Sequence, residues 1–307
     1  MEVINSKEIT TQINANLIES FTEFLDVSDN TAKTYKKALR QLFTYFGANG
    51  ISKPTRSDVI SFKKDLQDNG RKPSTISLYL SATRRFFSWT EQSGIYPHIA
   101  RDIKAPKLNR GHKKDYFTGS QIKSILSGID RSDREGMRNF AIMALMTTGG
   151  LRTVEIVRAK VEDLRVIGDT PVLYIQGKGR TEKTDFVKLC PQVGGAIRAY
   201  LKLRGKVAST EALFTSESKR NRGQELTTRS IRGICKNAMI NAGFNSDRLT
   251  AHSLRHTAVT LALLGGQSLQ EVQHFARHNN ISTTQIYAHN LDRMKSLCEQ
   301  TISNAIF

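Results

Sequence analysis

Near its end the chain reads TTQIYAH, residues 283–289, a tyrosine among polar neighbours with no clear apolar stripe to draw it into a core. Such a hydroxyl either caps a half-buried aromatic or attacks something, and taken alone the stretch favours packing. Further back, AHSLRHTAVTLALLGG (251–266) has helical spacing. It sets His252, Arg255 and Val259 on one face and Leu254, Ala258 and Leu261 on the other, so His252 and Arg255 are predicted to project together, away from the core. In SLQEVQHFARH, Ser268 and Glu271 read as a capping box over a helix ending near His278. A turn at Asn279-Asn280 follows, and Tyr287 stands nine residues after His278. TTGGLRTVEI (147–156) ends one helix at Gly149-Gly150 and begins the next at Arg152, with Glu155 one turn on. In PVLYIQGKGRTEKTDFVKL, two β-rich runs, Val172 to Ile175 and Asp185 to Leu189, flank a Gly-Lys-Gly-Arg turn that presents Lys178, a hairpin signal.

In chain order the set is Arg152, Lys178, His252, Arg255, His278 and Tyr287. These residue types suit attack on a phosphodiester, an anion that resists nucleophiles. Two guanidiniums can each donate paired hydrogen bonds to its non-bridging oxygens as charge builds in the transition state. Tyr287 would supply an oxygen nucleophile, but a phenol with an ordinary pKa of about 10 needs help to lose its proton. His252 is the candidate for accepting or steering it. Two His-x-x-x-His pairs, His252/His256 and His274/His278, have zinc-like spacing. Each second histidine follows an arginine and neither pair holds an intervening Glu, so no metal is expected. Nothing resembles a carboxylate cluster for two-metal cleavage, and no cofactor is called for.

The elements that must position this set divide the chain in two. From about residue 15 to 104 the apolar spacing is helical. In NTAKTYKKALRQLFTYFG, Tyr35, Leu39, Leu42, Phe43 and Phe46 form one stripe, with Ser28 or Asn30 able to cap and Gly47 to stop the helix. PSTISLYLSATRRFFSWTEQSG repeats the plan, with Pro73 near its start, Ser74 as cap, Ile76, Leu80 and Phe87 inward and Gly94 at the end. TRSDVISFKKDLQDNG gives a shorter helix between them. A polar basic linker, 105–115, leads to a larger domain, 116–307, mostly helical but holding the hairpin. Residues 1–14 read as a tail. The expected class is therefore mainly α with a small β-sheet.

Composition limits the partners. The 46 Lys and Arg against 28 Asp and Glu leave a net charge of +18, spread along the chain, which favours a polyanion. No apolar run approaches the ~18 residues of a membrane span, and the start lacks the apolar core of a signal peptide. Three widely spaced cysteines, Cys190, Cys235 and Cys298, fit neither zinc nor a disulfide framework, so the expected setting is a reducing cytoplasm with no membrane partner.

The ordered set, with Arg at a Gly-Leu-Arg helix start, Lys in Gly-Lys-Gly, His-x-x-Arg, then His and Tyr nine apart, resembles the tyrosine recombinase family of phage, Xer and transposon integrases. The resemblance spans both domains, the front one similar to the family's SAM-like core-binding domain, and it implies a C-shaped clamp on DNA. It implies a site-specific recombinase that cuts and rejoins strands through a 3′-phosphotyrosine and a Holliday junction, without metal or ATP. By resemblance Lys178 is the general acid for the departing 5′-hydroxyl, His278 hydrogen-bonds the phosphate, and Glu155 orients its neighbours. Type IB topoisomerases use a similar set, and a DNA-binding regulator could keep the fold without the chemistry; all six residues being present favours the recombinase.

The implied partners are double-stranded DNA with inverted-repeat core sites, three further protomers docked through the C-terminal segment (Leu291, Met294, Cys298 and Ile302 at helical spacing), and accessory DNA-bending or directionality proteins. Cations expected against DNA are Lys33, Lys36, Lys37, Arg40, Arg84, Arg85, Lys104, Lys107, Arg110, Lys113, Lys114, Arg180 and Arg277. The front domain begins so early that no additional arm-binding domain is expected. Two departures stand out. Phe275-Ala276-Arg277-His278 replaces the family's Leu-Gly-His, which suggests that Arg277 meets DNA or a neighbouring subunit. The doubled Gly149-Gly150 replaces a single glycine and bears on how Arg152 is presented.

Overall fold

The computed structural model describes residues 16–107, 115–177, 182–295 and 297–307, apart from the side chains of 290 and 292–295. The chain forms two compact units, Met1–Arg110 and Gly111–Phe307.

The first unit is helical: α1 (16–24), α2 (Asp29–Ala48), α3 (Arg56–Asp68) and α4 (Pro73–Gln92). Its core is the apolar seam of each helix, with Phe21, Leu39, Leu42, Phe62, Leu80 and Phe86 all buried. Aromatic edges meet there, Phe21 and Phe43 each standing edge-on to Phe86 at 5.4 and 5.5 Å between ring centroids. Ser28 takes the N-cap position of α2, as the sequence allows. The helix runs through Gly47 to Ala48, however, and the left-handed residue that ends the turn is Gly50, at φ +64°. In α4 the N-cap is Lys72, because Pro73 occupies the first helical position and places Ser74 inside the helix.

The second unit combines helices with a three-stranded antiparallel sheet. It runs α5 (Gly119–Ser127), α6 (Arg134–Gly149), α7 (Thr153–Val157), β1 (Leu164–Ile167), β2 (Thr170–Ile175), β3 (Asp185–Lys188), α8 (Pro191–Arg204), α9 (Thr228–Asn241), α10 (Ala251–Leu264), α11 (Leu269–Ala276), α12 (Ser282–Lys295) and α13 (Cys298–Ile306). Strand β2 is central, pairing Leu173 with Leu164 on one side and with Val187 on the other. The predicted hairpin is β2–β3. Strand β1 was not legible in the sequence: three of its four residues are exposed, so no apolar alternation marks it, and only the Gly168 turn at φ +57° betrays it.

Helix α6 supplies the centre of the core with Ile142, Leu145 and Met146, against Tyr200 of α8 and Leu254 of α10. Helix α10 packs against α6, α9, α11 and α12, so Ala251 and the run 253–260 are buried on all sides. Its predicted two-faced pattern therefore fails: Arg255 and Val259 lie inside with Leu254 and Ala258, and His252 alone of the first three turns is exposed. Cys235 is buried and its thiol is pushed up to about 12 by desolvation, which makes it an inert packing residue. No helix among the described residues is long and apolar enough to cross a membrane.

Candidate active site

The site is built on two chain reversals and the buried helix between them in sequence. At the first, α6 ends at Gly149 and Gly150 takes the left-handed conformation at φ +58°. A Cβ on Gly150 would come within 3.1 Å of the Phe275 ring, so both the backbone angle and the close approach require glycine. The chain can then turn through buried Leu151 into α7, with Arg152 as its N-cap residue. Glu155, fully buried one turn on, accepts from the Arg152 backbone N–H at 2.8 Å through Oε2 and from Arg152 Nη1 at 2.8 Å through Oε1. The carboxylate thus fixes both the backbone and the guanidinium of Arg152.

The second element is α10. Arg255 is 1% exposed and donates from Nη1 to the Gly150 carbonyl and from Nη2 to the Ala276 carbonyl. Desolvation, then the charges of Arg152 and Arg277, pull its pKa down to about 9, which still leaves the group cationic at neutral pH. The third is the end of α11, where Arg277 adopts φ +54°, ψ +48°. A non-glycine residue in that region costs about 1–2 kcal/mol. Its side chain offsets this by donating to the Phe275 carbonyl at 2.7 Å, the Gly150 carbonyl at 3.1 Å and Glu155 Oε2 at 3.2 Å.

This corrects the expectation that Arg277 would reach DNA or a neighbouring subunit. Its side chain is 8% exposed and turned inward, because the carbonyls left by the Gly149-Gly150 reversal and the Glu155 carboxylate offer it better partners than water. Three guanidiniums therefore surround Glu155, with Asp185 adding a weaker attraction to Arg277. The cluster holds more positive than negative charge and is largely shielded from solvent.

Tyr287, on α12, is 6% exposed and packs on Val259, Val272 and Ala276. Its surroundings, not its own stretch, supply the apolar contacts the sequence seemed to lack. Burial raises its pKa to about 12, against the opposing pull of Arg255 and Arg152. Its hydroxyl is hydrogen-bonded to Nδ1 of His256, and the two rings stand 5.2 Å apart between centroids. In the sequence His256 reads only as half of a zinc-spaced pair, although it lies one turn beyond His252 on the same helix face. The imidazoles of His252 and His256 meet edge-on at 4.4 Å. His278 stacks near-parallel to Tyr287 at 6.3 Å, and its Nδ1 is 2.9 Å from Oγ1 of fully buried Thr284. Burial first, and then Arg255, Arg152 and Arg277, drive the His278 pKa down to about 4, so its ring is neutral at pH 7.

Five of the six residues expected to do chemistry thus come together at the junctions of α6–α7, α10, α11 and α12; Lys178 lies outside the described residues, as do Arg180, Arg110, Lys113 and Lys114. No cluster of three or more metal-ligating side chains occurs among the described residues. In the helical unit, Lys33, Lys37, Arg40, Arg85, Lys104 and Lys107 are exposed. Lys36 pairs with Glu19, and Arg84 is half-buried with Nε 3.3 Å from the Leu80 carbonyl. Arg84 and Arg85 line a groove of about 540 Å³ together with Phe24 and Trp89.

Comparison with known proteins gives the family and the fold. The model of the "Phage integrase family" matches residues 115–294, and that of the "Phage integrase, N-terminal SAM-like domain" matches residues 18–94. Tyrosine recombinase XerD of Listeria monocytogenes serotype 4b (strain F2365) is 31% identical over 288 residues, covering 89% of this chain and 94% of its own. Tyrosine recombinase XerC of Salmonella typhi is 30% identical, covering 89% and 90%. Among solved structures, the XerH site-specific recombinase bound to palindromic difH substrate, a post-cleavage complex, shares the fold. It has a TM-score of 0.74 at 19% identity, over 93% of this chain and 85% of that one.

Proposed function

Since the chain belongs to the phage integrase family, the tyrosine recombinases that cut and rejoin DNA at specific sites, we propose that Tyr287 is its nucleophile and that Arg152 and Arg255 clamp the scissile phosphate. The observation that carries this reading is a buried tyrosine hydroxyl beside a desolvated cage of guanidiniums with a surplus of positive charge. Such a cage is preorganised for a group that gains negative charge in the transition state, and it needs no reorganisation at the moment of reaction.

Each guanidinium has five N–H donors, so the carbonyl bonds that hold Arg255 in place leave others for the phosphate oxygens. Glu155 aims Arg152 by the same logic. With the Thr284 hydroxyl donating to Nδ1, the neutral His278 ring carries its proton on Nε2 and donates it to a non-bridging oxygen. His252, exposed at the start of α10, meets the phosphate from the solvent side. Lys178 protonates the departing 5′-oxygen. The product of the first step is a 3′-phosphotyrosine, which keeps the bond energy and lets a 5′-hydroxyl reverse the reaction without ATP.

Double-stranded DNA carrying inverted-repeat core sites is the substrate, and four protomers exchange strands in two steps through a Holliday junction. The C-terminal helix supports the assembly: α13 buries no residue, and Leu297, Ile302, Ile306 and Phe307 are exposed, an apolar edge suited to docking on a neighbouring protomer. Exposed cations of the helical unit fix position on the backbone and make affinity salt-dependent. A cytoplasmic setting and accessory bending or directionality proteins complete the proposal.

The test is incubation of the protein with nicked duplexes from the DNA flanking its gene, so that the fragment beyond the cut diffuses away. A denaturation-resistant protein–DNA adduct with wild type, absent with Tyr287→Phe at equal DNA binding, supports the proposal. An adduct formed equally by Tyr287→Phe would overturn it.

A further inference from the structure

We infer that His256 is the base that takes the proton from Tyr287 as its oxygen attacks phosphorus. The inference rests on the reading of Tyr287 as the nucleophile and deepens it. Sequence spacing pointed to His252 for this task, but His252 is exposed, whereas His256 is 7% exposed and its Nδ1 holds the Tyr287 hydroxyl.

The neighbours leave this role to His256. Arg152 and Arg255 stabilise a tyrosinate but, as cations with no free lone pair, cannot receive its proton. The ring of His278 is stacked beside Tyr287, with Nδ1 engaged by Thr284. A phenol made less acidic by burial gains most from a base already in place, and here the donor and acceptor are pre-aligned by α10 and α12, which pack together. For Nδ1 to accept, His256 carries its own proton on Nε2.

The step balances. The Oη–H bond breaks and the proton passes to Nδ1 of His256, giving an imidazolium. The Oη–P bond forms, the P–O5′ bond breaks, and the leaving oxygen takes a proton from the general acid. On rejoining, the 5′-hydroxyl attacks phosphorus and returns its proton to the acid, while the tyrosine oxygen leaves and recovers its proton from His256. No proton is consumed over the cycle.

The test measures single-turnover adduct formation on the nicked duplex by His256→Asn and His256→Gln, both of which can hold the tyrosine hydroxyl without accepting its proton. Each is made with tyrosine at 287 and with a trifluorinated tyrosine there, whose phenol ionises near neutral pH. Rates are compared for whichever variant binds the duplex as wild type does. We expect a loss of about 10²–10⁴-fold with tyrosine, most of it recovered with the fluorinated nucleophile. An equal loss with both nucleophiles would reduce His256 to a positional contact and overturn the inference. So would a rate within threefold of wild type, or a faster one, which would make the contact a latch. Wild type binding without an adduct, or Tyr287→Phe forming one, would instead strike the reading of Tyr287 itself.

Discussion

In the helical unit the cations stand in water around an apolar seam; in the second unit several have been taken out of it. Lys33, Lys37, Arg40 and Arg85 of α2 and α4 are exposed to water. Arg255 and Arg277 are buried against backbone carbonyls and one carboxylate, and both lose proton affinity to desolvation. The difference separates two tasks. A hydrated cation attracts DNA at long range and surrenders little on binding, which gives affinity and registration. A desolvated cation acts at short range in a low dielectric, where a developing negative charge gains far more. Nature of side chain does not distinguish these arginines; surroundings do.

That comparison can be broken at several points. The largest effect is expected at Arg255. Arg255→Ala leaves the Ala276 carbonyl without its side-chain donor and the Gly150 carbonyl with that of Arg277 alone, and an unsatisfied buried group costs about 1–3 kcal/mol. It should also lower cleavage by at least about 10²-fold, read by urea denaturation and by adduct formation on bound duplex. If stability and cleavage were both untouched, burial of this cation would have no role.

His278 sharpens the electrostatic side. Its pKa falls from 6.5 to about 4 in the folded protein, so between those values the unfolded chain binds a proton that the folded chain does not. Stability must therefore fall as pH drops from 6.5 toward 4. In His278→Gln this component should vanish, seen as a flatter dependence of the urea midpoint on pH over that window. An unchanged slope would mean that neither burial nor the guanidinium cage holds this ring neutral.

A smaller effect is expected at Arg277. Arg277→Ala keeps the left-handed backbone and loses the side-chain bonds, so it should be less stable than wild type, while Arg277→Gly should exceed Arg277→Ala by about 1 kcal/mol. Neither should change the salt dependence of DNA affinity, measured by titration at several salt concentrations. A slope reduced by about one would place this guanidinium on a phosphate. Arg85→Ala, by contrast, should reduce that slope by about one and leave cleavage of saturated complex unchanged. An unaltered slope would remove Arg85 from the DNA-facing set.

The two units also differ in how openly the sequence declares them. Leu39, Leu42 and Phe46, or Ile76, Leu80 and Phe87, repeat at helical spacing with cations between them, so the first unit's helices and their inward faces were legible. Helix ends were less so: Gly47 reads as a stop but sits inside α2, since a glycine is tolerated in a helix and the reversal is made at Gly50. In the second unit the ordered Arg, His, Arg, His and Tyr led to side chains that the fold brings together, because their types match a chemistry. Their surroundings did not follow from spacing. Helix α10 is covered on all sides by partners distant in the chain, so a two-faced reading of Arg255 had to fail. Arg277 looked like a surface cation because its partners, Gly149, Gly150 and Glu155, are more than a hundred residues away. The hydrogen bond between His256 and Tyr287 joins two helices through residues 31 apart in the chain and was hidden too, although the shared face of His252 and His256 was visible.

Membership of the phage integrase family gives the reaction, and the buried site holds the side chains proposed to perform it. The most direct measurement is to trap the wild-type protein on a nicked duplex, digest the adduct, and identify by mass spectrometry the peptide that carries the nucleotide. A 3′-phosphate-linked nucleotide on Tyr287 is the predicted result. The same linkage on any other residue would contradict the assignment of the buried tyrosine, and with it the role given to the cations around it.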